Sequence, residues 1–166
     1  MRELLTTLYN IKKRGLANEN VDERLLQICL QDAQDINLTD EIGLKFVRDL
    51  QEKRNKQTLN NYETELINGY IIPYLSKVVD RRATIATSNR IRNAGTGSVN
   101  ATEFRQNTIE ENRQFRNEIM WDEKVLAKEM HSYIKDNIKH FPLYKHRDNC
   151  YNSTSNKSLI NKIFTI

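Results

Sequence analysis

The chain has 166 residues, of which 38% are hydrophobic and 29% charged, and its formal net charge at pH 7 is +4. Its 5 Gly and 2 Pro are roughly a third of average usage, too few for the turns of a many-stranded sandwich or barrel. The mean hydropathy is -0.73, and no apolar run approaches the ~20 residues that span a bilayer. We therefore expect an all-α domain without membrane contact. The N-terminus lacks the apolar core of a signal peptide, which predicts an intracellular protein.

Four principal helices are predicted, two short and two long. The first covers residues 2–14, where apolar residues recur at spacings of three and four and Gly15 follows as a stop. The second begins at the capping pair Asn20 and Glu23 and ends near Asp35.

The two long helices follow in the second and third parts of the chain. Thr39 is a good N-cap for the third helix, whose apolar stripe continues until Pro73. The fourth spans roughly residues 108–140. Between them, residues 82–107 are rich in Thr, Ser, Asn, Arg and Gly, which predicts a long mobile basic loop. The helical domain is thus predicted over residues 1–142, and residues 143–166 form a C-terminal tail that could return as a strand or a last helical turn.

The chain shows no motif that is typical of a catalytic or metal site. His140, His146 and Cys150 are close in sequence, but a zinc site needs four ligands at recognisable spacings, and no fourth ligand accompanies them. Cys29 lies on the apolar stripe of the second helix, as a buried structural thiol does. No glycine-rich phosphate loop is present in the sequence. We predict a protein that is not an enzyme and that uses no cofactor or metal.

The basic residues are concentrated around the predicted loop. Residues 76–105 carry six basic and two acidic side chains, and the arginines Arg81, Arg82, Arg90 and Arg92 could neutralise nucleic-acid phosphates there. No aromatic side chain between residues 81 and 103 is available for base stacking. This pattern supports at most weak, non-specific DNA contact.

One run in the predicted third helix combines polar side chains with two apolar anchors: Arg54, Asn55, Lys56, Leu59 and Tyr62. The run resembles the signature in the central helix of the GINS subunits, an accessory complex of the replicative helicase. Leu59 and Tyr62, three residues apart, can anchor one helix face. Arg54 can bond carbonyls and carboxylates at a junction of helices.

Further stretches extend the resemblance over residues 1 to about 142. The first two helices resemble the opening of a Psf-one type subunit, and Trp121 and Tyr133 resemble its fourth helix. The run from Lys139 to Pro142 is more similar to the Sld-five type. GINS subunits also carry a small β-rich domain, whereas only 24 residues follow Pro142 here.

The resemblance implies a non-catalytic scaffold subunit of a nuclear hetero-oligomer in DNA replication, which would bridge the MCM ring, an activator and a polymerase. It also implies that partner subunits are bound through a set of six residues: Arg54, Asn55, Lys56, Leu59, Tyr62 and Trp121. Two alternatives stay open. One is a viral or phage virion protein, such as a head-tail adaptor or connector, whose long helices form a symmetric homo-oligomeric ring with the basic loop facing DNA. The other is a small nucleic-acid-binding regulator.

Overall fold

The computed structural model describes residues 4–16, 22–88, 90–92, 95–97 and 109–144. The prediction of an all-α domain is confirmed. Within the described residues the chain forms five helices, which we number α1 (Leu8–Arg14), α2 (23–42), α3 (Leu44–Asn55), α4 (61–88) and α5 (Ile109–Asp136). A 3-10 turn (Ile138–His140) follows α5. Two three-residue strands, β1 (Arg90–Arg92) and β2 (Gly95–Gly97), pair antiparallel between α4 and α5.

Helices α2 and α4 each contain a wider π-helical segment. Helix α2 is π-helical over Ala33–Leu38, between α-helical parts at Glu23–Asp32 and Thr39–Ile42. Helix α4 is π-helical over Leu66–Ile71, between α-helical parts at Asn61–Glu65 and Ile72–Ser88. The second π-helical segment ends just before Pro73, which cannot donate to the helical ladder. The helix continues past this proline, so the prediction that Pro73 interrupts it is wrong.

The prediction that the third helix is one continuous element is wrong. Gly43, with φ of 89°, separates α2 from α3, and the chain leaves the helical conformation again before Asn60. Asn60 begins α4 through a capping box: its Oδ1 accepts from the Glu63 amide at 2.8 Å, and Glu63 Oε2 accepts from the Asn60 amide at 2.9 Å. Since the apolar stripe keeps its period on both sides of this break, the sequence pattern resembles one continuous helix.

The predicted start of the loop over residues 82–107 is wrong, because α4 continues to Ser88. The threonines there fit the helix by bonding to the preceding turn. Thr84 Oγ1 donates to the Asp80 carbonyl at 2.8 Å, and Thr87 Oγ1 donates to the Ala83 carbonyl at 2.9 Å. Residues 98–107 of that predicted loop, and the predicted tail from residue 145 onward, lie outside the described residues.

Helices α4 and α5 pack against each other in opposite directions. Tyr70 stacks on Tyr133 with ring centroids 4.5 Å apart, and towards the other end of α4 the Arg81 Nε atom lies 2.6 Å from Glu123. Helix α5 fits the prediction for residues 108–140 closely, since it covers Ile109–Asp136 and the 3-10 turn ends at residue 140. The end of α4 at Ser88 and the start of α5 at Ile109 therefore lie at the same end of this helix pair.

Candidate protein-protein interface

The run that resembles the GINS signature does not lie on one helix. Arg54 and Asn55 end α3, Lys56 and Leu59 lie in the connection, and Tyr62 is in the first turn of α4. The structure therefore separates these side chains over two helix ends instead of presenting them on one face.

Arg54 is engaged within the domain. Its Nη1 atom donates to the carbonyl of Leu5, and the amide of Leu5 donates to Gln34 Oε1 at 2.6 Å. Leu5 and Gln34 are both fully buried. Both backbone polar groups of Leu5 are thus satisfied by side chains, and Arg54 holds the N-terminal segment on the domain.

The remaining residues of that run differ in exposure. Lys56 forms an ion pair with Glu52 one turn earlier, and Asn55 is exposed. Leu59 packs against the core and is partly buried. Tyr62 is half-exposed and stacks on His140 with ring centroids 3.8 Å apart.

Two of the predicted nucleic-acid-binding arginines lie in α4, so the prediction that they belong to a loop is wrong. Arg81 pairs with Glu123. Arg82 donates to Asn37 Oδ1 from Nε at 3.0 Å and from Nη2 at 2.9 Å, and its Nη1 lies 3.3 Å from an Asp32 carboxylate oxygen. Arg90 and Arg92 lie in β1, and their side chains are outside the described part of the chain.

Trp121 is a predicted partner residue that the structure presents to solvent. Its exposed fraction is 68%, and Val125, one turn later, is 39% exposed. Helix α5 faces the core with a buried stripe that includes Ile119 and Met130. At 3.6 residues per turn, Trp121 lies about 200° around the helix from Ile119 and about 180° from Met130. Trp121 and Val125 therefore form an apolar ridge on the outer face of α5, opposite the core.

Charged residues of opposite sign flank this ridge. We define the acidic row as Glu118, Glu129 and Asp136, and the basic row as Lys124, Lys128 and Lys135; all six are exposed. On the helical wheel the acidic row lies about 60–80° to one side of Trp121 and the basic row about 20–60° to the other. The ion pairs among the described residues include none of these six. Sequence reasoning missed both rows, although the helical spacing of the charges could have identified them.

The basic row borders a groove of about 660 Å³ between α5 and the elements that carry Asn37, Glu41 and Tyr74. The buried side chains of Tyr74 and Ala127 are among its lining, together with the half-exposed Met120. The groove therefore offers apolar contact area behind a row of lysines.

The two carboxylates that line the groove already have partners. Glu123 pairs with Arg81. Glu41 Oε2 lies 2.9 Å from His131 Nε2, and the other ring nitrogen of His131 lies 2.7 Å from the Tyr144 hydroxyl. The three lysines of the basic row are therefore the charged side chains of the groove that have no ion-pair partner among the described residues.

Burial raises the pKa of Tyr74, and the nearby carboxylates Glu41 and Glu123 raise it further. Its hydroxyl consequently stays neutral. Burial also raises the pKa of the Cys29 thiol, with a smaller opposing effect of Arg82, so this cysteine stays protonated in the core.

In the described ranges, no group of three or more His, Cys, Asp or Glu side chains could hold a metal ion. Of the three residues that lie close together in sequence and could bind zinc, His140 is described, whereas His146 and Cys150 lie outside those ranges. No helix among the described residues is both long enough and apolar enough to cross a membrane.

The fold and this surface define an all-α domain with an apolar ridge, flanked by charge, on the outer face of α5. The chain belongs to the DUF6712 family, a family of unknown function, whose model matches residues 38–154. The match begins in α2 and includes all of α3, α4 and α5. No curated protein and no solved structure matches the chain significantly.

Proposed function

We propose that this protein is a non-catalytic helical scaffold subunit that binds other protein chains through the outer face of α5. The observation that carries this proposal is the ridge of Trp121 and Val125. Tryptophan is enriched among the residues that dominate binding energy at interfaces, and its large apolar surface gains most when a partner removes it from water. A tryptophan 68% exposed and flanked by charged rows has the composition of an interface centre with a polar rim.

We further propose that the assembly is a symmetric homo-oligomer of the virion-connector type. The supporting observation is that α4 ends at Ser88 and α5 begins at Ile109 at the same end of an antiparallel helix pair, and that Arg90 and Arg92 in β1 follow α4 closely in the chain. Copies arranged side by side would gather these basic residues at one end, where they could contact DNA phosphates. The GINS-type hetero-oligomer has less support, because Arg54 is bonded to Leu5 and its run is split between two helix ends.

The proposed function is tested by velocity sedimentation of the tagged full-length chain in extracts of its natural source. We expect wild-type protein in an assembly much larger than the 19.6 kDa chain. The double substitution Trp121→Ser and Val125→Ser should return the chain to the monomer fraction without changing its melting temperature, because both side chains point away from the core.

The matched control is Tyr9→Ser, which removes an aromatic side chain that is 73% exposed on α1. This variant should sediment as the wild type does. If the ridge variant and the control both remain in the large assembly, the outer face of α5 is not the interface and the proposal fails.

A further inference from the structure

We infer that the partner of the α5 face is a second copy of this chain, packed head-to-tail with its α5 helix parallel to the first. In this arrangement the ridge and the acidic row of one copy enter the groove that the basic row of the next copy borders. The inference rests on the proposed function and names the partner that the scaffold binds.

The first argument is charge complementarity between the two sides of one helix. The acidic row and the basic row lack ion-pair partners among the described residues and lie on opposite sides of the ridge. Parallel neighbours bring the acidic row of one copy against the basic row of the next. Antiparallel neighbours with the same face outward would bring acidic row against acidic row, which costs binding energy.

The spacing of the two rows also agrees. Glu118 precedes Lys124 by six residues, and Glu129 precedes Lys135 by six residues. A neighbouring helix staggered by about 9 Å, at 1.5 Å per residue, would therefore form both pairs at once. One relative position satisfies two ion pairs, so the rows define a register as well as a direction.

The second argument is shape. The exposed side chains of Trp121 and Val125 project between the two rows, whereas the basic row borders the groove of about 660 Å³. A two-fold pair centred on the ridge would place ridge against ridge and leave both grooves unfilled. Head-to-tail contact fills the groove of each copy with the ridge of its neighbour. Such a contact uses two different surfaces of the subunit, and its repetition gives a ring where the rotation between copies closes and a helical filament where it does not.

The test uses two charge-reversed variants of the purified full-length chain. One carries Lys124→Glu and Lys135→Glu, and the other carries Glu118→Lys and Glu129→Lys. Each variant alone meets like charge at every contact, so we expect loss of the oligomer at concentrations where the wild type assembles. An equal mixture of the two restores opposite charges at both contacts, and it should regain the wild-type mass as an alternating assembly.

Mass is measured by light scattering, and the single tryptophan of the chain supplies an independent signal. Emission of Trp121 should shift to shorter wavelength on assembly, and it should stay at the exposed position in each variant alone. The matched control reverses two exposed lysines elsewhere, Lys13→Glu on α1 and Lys45→Glu on α3, and it should assemble as the wild type does.

Two results would overturn this inference. One is a purified wild-type chain that stays monomeric although the chain sediments in a large assembly in its natural source. That result leaves the proposed scaffold function standing and assigns the face to a different protein. The other is a mixture that stays monomeric although melting curves show that both variants are folded.

Discussion

The buried amide of Gln34 provides the sharpest test of how the N-terminal segment is held. Its Oε1 atom accepts from the Leu5 amide at 2.6 Å, and both residues are fully buried. The substitution Gln34→Met keeps the length of the side chain but removes the acceptor. The Leu5 amide then stays in the core without a partner, or the segment leaves its site and exposes the buried Leu5 side chain.

The magnitude follows from either outcome. A buried donor without a partner costs about 1–3 kcal/mol, and full exposure of a leucine side chain costs about 1.5–3 kcal/mol. We therefore expect Gln34→Met to lower the free energy of unfolding by about 2 kcal/mol. For a domain of this size each kcal/mol lowers Tm by about 2–4 °C, so the expected decrease is about 4–8 °C.

Urea unfolding followed by circular dichroism measures the stability, and hydrogen exchange of the Leu5 amide locates the effect. The matched control is Gln27→Met, a partly exposed position on α2 that should change stability by less than about 0.5 kcal/mol. If Gln34→Met unfolds at the same urea concentration as this control, or if the Leu5 amide keeps its protection, the proposed role of Gln34 is refuted.

Three further predictions concern other single positions. Gly43→Ala should lower the free energy of unfolding by about 1–3 kcal/mol in urea unfolding, because alanine is strained at a φ of 89°. An added Cβ has no neighbour within 4 Å, so backbone strain is the whole cost, and unchanged stability would contradict that backbone conformation. Glu63→Ala should lower the free energy of unfolding by about 3 kcal/mol, because the buried carboxylate caps α4 and lies 2.6 Å from Lys53 Nζ; a loss no larger than that of an exposed control in the same turn, Asn61→Ala, would contradict this role. Burial, and then the hydrogen bond to Glu65, raises the pKa of Tyr133 to about 12 from 10.0. As pH rises, the phenol ionises in the unfolded chain before it ionises in the folded one, so its contribution to the free energy of unfolding is complete below pH 10 and is lost between pH 10 and 12. Tyr133→Phe should lack this loss when chemical unfolding is measured across that pH range.

Two features of the fold could be predicted from the sequence because they depend on local chemistry. The scarcity of Gly and Pro excludes most turn-rich folds and predicts an all-α chain. Helix α5 was predicted within a few residues of its bounds, Ile109–Asp136, because its apolar residues keep one helical period without a competing break.

The break before α4 could not be predicted from periodicity. Asn60 and Glu63 have the spacing of a capping box, but the apolar stripe continues on both sides and conceals it. The contact of the Glu63 carboxylate with Lys53, ten residues earlier, joins the two helix ends across the connection. Such a contact exists only after both helices have packed, so the tertiary structure decided where α4 begins.

The sequence determined which residues can lie on one face of a helix, whereas the tertiary structure decided which face is covered. Arg82 looks like a loop cation in sequence, yet Asn37 and Asp32, 45 and 50 residues away, bind it within the domain. Trp121 fits an amphipathic helix in either orientation, and the packing of α5 on α4 leaves it in solvent. Helical periodicity depends on neighbours within one or two turns, but exposure depends on residues far apart in sequence. The position of the candidate interface therefore required the tertiary fold.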